Sequence, residues 1–79
     1  MTSTFYAELK ATGAKIEHHE SDLYTPDTPE ARELAKRHNM TGVLMVPFRH
    51  QASGTPWLDF PFAYAPFWDK VARRAEVAQ

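Results

Sequence analysis

Six of the chain's ten aromatic residues fall between Trp57 and Trp68, and that concentration fixes where the core must be built. Trp57, Phe60, Phe62, Tyr64, Phe67 and Trp68 supply apolar area that no other stretch matches, so their first duty is burial. With 79 residues and no cysteine, the chain must close one hydrophobic core without disulfide staples. A core of that size supplies about 3–5 kcal/mol of net stability, leaving few large apolar residues for a substrate pocket. The expectation is a single α+β domain over residues 1–79.

Local patterning gives the order of elements. Thr4 to Thr12 reads as a short helix, with Phe5 and Leu9 on one side, Ser3 or Thr4 as cap and Gly13 at the left-handed stop. Ile16 to Tyr24 reads as a loop or a brief edge strand, because it is short and mostly polar. A second helix starts cleanly: Thr28 caps, Pro29 suits the first helical position, and Glu30 places a carboxylate in the positive first turn. Ala31, Leu34, Ala35 and His38 form its apolar stripe, and Asn39 to Gly42 ends it.

Val43 to His50 and Trp57 to Tyr64 then read as a hairpin. Alternation predicts a register pairing Phe48 with Leu58, Val46 with Phe60 and Leu44 with Phe62. Pro47 and Pro61 remove ladder donors, so those positions must bulge or sit at an edge. The expected architecture is a small antiparallel hairpin or three-stranded sheet against two or three short helices. Pro66 opens the last helix, with Phe67, Val71 and Ala75 along one side.

Charge excludes more than it assigns. The formal net charge is −1, and Lys70, Arg73 and Arg74 are diluted by Asp69 and Glu76, so nucleic acid is disfavoured as a partner. No apolar run approaches the roughly 20 residues that span a bilayer, and no secretory leader is visible, so no membrane is implied and the cytoplasm is the expected location.

The common catalytic patterns are incomplete in this chain. Ser21 and Ser53 lack a nucleophile elbow, and Gln51 to Pro56 lacks the ending of a phosphate-binding loop, so no catalytic residue and no cofactor is assigned. Glu20, Asp22 and Asp59 offer carboxylates for an acid–base pair. If the segment were extended, His18, Glu20 and Asp22 would point one way and offer an imidazole and two carboxylates to a divalent metal. That would make a metal-binding domain or metal-dependent hydrolase the alternative reading.

Aromatics off the core face point elsewhere. Alternation places Trp57 opposite Phe60 and Phe62, and Trp68 need not share the helix face of Phe67. With Arg49 and Tyr24 they form a candidate anchor set for a protein partner, since Trp, Tyr and Arg dominate interface hot spots. Oligomeric state stays open between monomer and homodimer.

Several stretches carry a resemblance: Phe5-Tyr6, His19-Glu20-Ser21-Asp22-Leu23-Tyr24, Thr28-Pro29-Glu30-Ala31, Trp57-Leu58-Asp59 and Pro61-Phe62-Ala63-Tyr64-Ala65-Pro66-Phe67-Trp68. Together they resemble a family of short, uncharacterised bacteriophage and prophage proteins, over Phe5 to about Trp68. The resemblance implies a bacterial or phage origin and action in the host cytoplasm. It brings no activity or site residue. The leading expectation is a small non-enzymatic binding module acting on a host or phage macromolecule through Tyr24, Arg49, Trp57 and Trp68.

Overall fold

Thr4 sets the first element. Its hydroxyl accepts the Ala7 N–H at 3.0 Å, satisfying one of the amides that helix α1 (Phe5–Ala11) leaves open at its start. Thr12 caps the other end, and Gly13 turns the chain at φ +82°. The structure, a computed structural model, describes residues 4–45 and 56–77.

After α1 come strands β1 (Glu17–His19) and β2 (Asp22–Pro26), joined by a tight turn at Glu20 and Ser21. Helix α2 (Pro29–Arg37) follows, then β3 (Val43–Met45), β4 (Trp57–Phe60) and helix α3 (Ala65–Val77). Among the described residues four strands form one sheet in the order β1-β2-β4-β3, every neighbouring pair antiparallel. The α+β class is therefore as expected from sequence, with one strand more than the largest sheet considered.

The additional strands come from Ile16 to Tyr24. That segment is neither a loop nor a single edge strand: its second half, β2, lies inside the sheet against β4. Leu23 pairs with Phe60 and Thr25 with Leu58, so a polar-looking strand needs only two inward positions to belong to the core. Thr25 is fully buried, and its hydroxyl donates to the Lys15 carbonyl at 2.8 Å, which removes the penalty of an unpaired polar group.

Leu44 pairs with Leu58, not Phe62. The physical reason lies at the end of β4. Pro61 has no N–H to extend the ladder, and Phe62 adopts φ +64°, so the strand stops at Phe60. The parity of the expected register survives, since Leu44, Leu58 and Phe60 still share a face. Val46 to Thr55, including Pro47, Phe48 and Arg49, lie outside the described residues.

One face of the sheet holds the core. Leu23, Leu58 and Phe60 pack against Phe5 and Leu9 of α1 and Ala31, Leu34 and Ala35 of α2, with Ala63 closing one end. Ile16, Met40, Tyr6 and Tyr64 pack around that cluster. Of the α2 stripe read from sequence, Ala31, Leu34 and Ala35 are thus buried and His38 is half-buried, and the helix ends in a Schellman closure. Asn39 sits at φ +54°, its N–H donates to Lys36, and the Met40 N–H donates to the Ala35 carbonyl at 2.8 Å.

The start of α2 is equally defined. The Thr28 hydroxyl accepts the Ala31 N–H at 3.1 Å, and both Asp27 carboxylate oxygens accept from Arg32 at 2.6 and 2.7 Å. That guanidinium holds the Asp27 carboxyl below its ordinary pKa. Thr28→Ala is expected to lower stability by about 1 kcal/mol. Thr28→Asn, which keeps an acceptor, should recover most of it, and urea melts of the two variants measure the difference.

Candidate partner-binding surface

The surface begins where β4 ends. Pro61 and Phe62 form a turn whose backbone is held at several points. The Phe62 N–H points at the Asp22 carboxylate at 3.4 Å, the Phe62 carbonyl accepts the Trp68 indole N–H at 2.9 Å, and the Tyr64 N–H donates to Ser21 at 3.0 Å. Positive φ at a bulky residue costs on the order of 1 kcal/mol and persists only where the surroundings enforce it. The enforced conformation turns the Phe62 ring outward, where it is 69% exposed. Sequence alternation places this ring in the core, and the turn overrides that expectation.

Trp68 stands beside it on the first turns of α3. Its ring centroid is 6.2 Å from Phe62 and 5.0 Å from Phe67, and the side chain is 43% exposed although its indole N–H is satisfied. Val71, one turn on, is 41% exposed. Phe62, Trp68 and Val71 therefore form an aromatic-led apolar patch carried by a turn and a helix. Of the expected anchors Trp68 belongs to it. Phe62 was readable only as a core residue, and the one local signal for its role was Pro61 before it.

The other expected anchors fall elsewhere. Trp57 lies on the sheet face away from α1 and α2 and is only 3% exposed, so it is not an open anchor in the isolated chain. Tyr24 is half-buried on that same face, and Arg49 lies outside the described residues.

The same face brings two carboxyls together. Asp22 and Asp59 project from β2 and β4, with Asp59 opposite Tyr24 in the register. Burial, then the charge of Asp22 and a hydrogen bond with it, push the Asp59 carboxyl up to about 6. One Asp59 oxygen is buried without a hydrogen-bond partner. Glu20, the third carboxylate of the sequence-level set, is instead in the β1–β2 turn at φ +55°.

That turn also breaks up the metal-ligand reading. The segment is a hairpin, not one extended strand, so His18 and Asp22 sit on opposite faces of the sheet. The His18 ring stacks on Tyr64, with centroids 4.0 Å apart and planes 5° from parallel. Among the described residues no group of three or more His, Asp or Glu side chains is placed to hold a metal ion. Nor is any helix among them long and apolar enough to cross a membrane.

No protein-family model, no curated protein and no solved structure matches this chain.

Proposed function

We propose that the chain is a small non-enzymatic binding module of phage or prophage type, contacting a host or phage macromolecule through Phe62, Trp68 and Val71. The observation that carries this reading is Phe62. A bulky residue in a left-handed conformation, fixed by its neighbours and pointing its ring into solvent, contributes little to the core it leaves. Exposed aromatic rings held rigid in this way beside a Trp are enriched at the centres of protein interfaces. The resemblance to short phage proteins supports a macromolecular target in a bacterial host.

The test separates binding from folding. Phe62→Gly removes the ring and relieves the left-handed strain, so its thermal midpoint should stay within a few degrees of wild type. Tagged wild-type chain is expected to retain a macromolecule from infected or lysogenic bacterial extract that the Phe62→Gly chain does not retain. Equal retention by both chains would overturn the reading.

A further inference from the structure

Helix α3 is exposed from Trp68 through Ala75, with no stripe of it covered by the described parts of the chain. Thirteen residues make a helix that is marginal in water by itself. Packing of its apolar side, including Val71 and Trp68, against another surface would supply the missing stabilisation. The charges on α3 say what that surface must carry. At helical spacing Lys70 and Arg74 flank Val71 on one side, one turn apart, while Asp69 and Arg73 lie away from it.

A matching surface exists on the same chain. Helices α1 and α2 border a groove of about 460 Å³ lined by Thr12, Pro29, Glu30, Glu33, Leu34 and Arg37. Glu30 and Glu33 are exposed and lie one turn apart on α2. Two of the nearby cations have carboxylates of their own: Arg37 lies 3.9 Å from a Glu8 carboxylate oxygen, and Arg32 is tied to Asp27. The groove therefore presents Pro29, the edge of the buried Leu34 and the aliphatic stems of its charged residues, with Glu30 and Glu33 on its rim beside Arg37. Side chains three or four apart on a helix stand about 5–6 Å from each other, so the carboxylate pair and the α3 cation pair match in spacing.

We infer that α3 of one copy docks in the α1–α2 groove of a second copy, and reciprocally, giving a twofold dimer. The inference rests on the reading of α3 as part of a binding surface. Its own groove is not the occupant's seat, because α3 is exposed from Trp68 through Ala75 within one chain. Val71 lies over the groove lining, with Lys70 and Arg74 against Glu30 and Glu33. Apolar contact supplies the affinity, and the rim charges fix the register and make the association salt-sensitive.

Sedimentation velocity across a wide concentration range tests the dimer. Wild-type chain is expected to dimerise, more weakly as salt rises. Lys70→Glu/Arg74→Glu and Glu30→Lys/Glu33→Lys change only exposed positions, so each should keep its helical circular dichroism and lose dimerisation by about tenfold or more. An equimolar mixture of the two variants should dimerise again, because both reciprocal contacts then meet opposite charges. A wild type monomeric at every concentration, a dimer indifferent to both reversals, or a mixture that stays monomeric would overturn the inference. A monomeric wild type whose captured macromolecule is still lost on Phe62→Gly would overturn the dimer and uphold the binding reading. Charge-swap rescue with retention indifferent to Phe62→Gly would do the reverse.

Discussion

Gly42→Ala is expected to remove about half of the domain's stability, although Gly42 sits in an ordinary connection between α2 and β3. A Cβ built at Gly42 would stand 2.7 and 2.8 Å from two carbons of the Phe60 ring. The ring cannot retreat, since Phe60 is 1% exposed and packs on Phe5 with centroids 4.8 Å apart. Overpacking of this kind costs about 1–3 kcal/mol, against about 3–5 kcal/mol for a core of this size. Urea melts should show a midpoint lowered in that proportion at unchanged slope. Phe60→Leu combined with Gly42→Ala should cost less than the sum of the two, because the smaller side chain vacates the contested space. Gly13→Ala provides the contrast: nothing lies within 4 Å of its Cβ position, and its cost of about 1 kcal/mol comes from φ +82° alone. A Gly42→Ala chain within about 0.5 kcal/mol of wild type would contradict the packing described here.

Asp59→Asn is the second large effect, and its sign depends on pH. In the folded chain the Asp59 carboxyl titrates at about 6, above the ordinary 3.8, because it is partly desolvated and lies beside Asp22. The folded state therefore holds its proton more tightly than the unfolded state. This group's contribution to stability is full below about pH 4, declines as pH rises towards 6 and is level above that. Discounted for partial exposure, the loss amounts to about 1–2 kcal/mol at neutral pH. Asparagine carries no charge to repel Asp22 and offers an N–H to it. The variant should be more stable than wild type by about that amount at pH 7.5, with the advantage vanishing near pH 4. Thermal melts of both chains across that range measure it, and parallel profiles would count against the carboxyl pair.

Helix boundaries were legible because each is written in local chemistry: Thr4 and Gly13 around α1, Thr28, Pro29 and Asn39 around α2. The sheet was less legible. Strand β2 reads as polar because half of its side chains face away from the helices, and its buried Thr25 looks like a surface residue until the Lys15 carbonyl is seen beside it. Its partner β4 is distant in sequence, so no local pattern announces the pairing. The candidate surface was half visible. Trp68 stood out as a large residue without an assigned face, while Phe62 was assigned to the core by an alternation that Pro61 had already ended. Asp22 and Asp59 stand far apart in sequence, and only the register of β2 on β4 makes them neighbours.

The strand order has a consequence for synthesis. Because β4 lies between β2 and β3, the middle of the sheet is completed by the strand that comes after β3 in sequence. A nascent chain that has emerged only as far as β3 can form the β1–β2 hairpin and two short helices, but it has nothing to lay along the inner edge of β2. Folding is therefore governed by a late, long-range closure, which slows it relative to a helical protein of equal length. Until Trp57 to Phe60 leave the ribosome, Leu23 and the apolar sides of α1 and α2 remain available to chaperones.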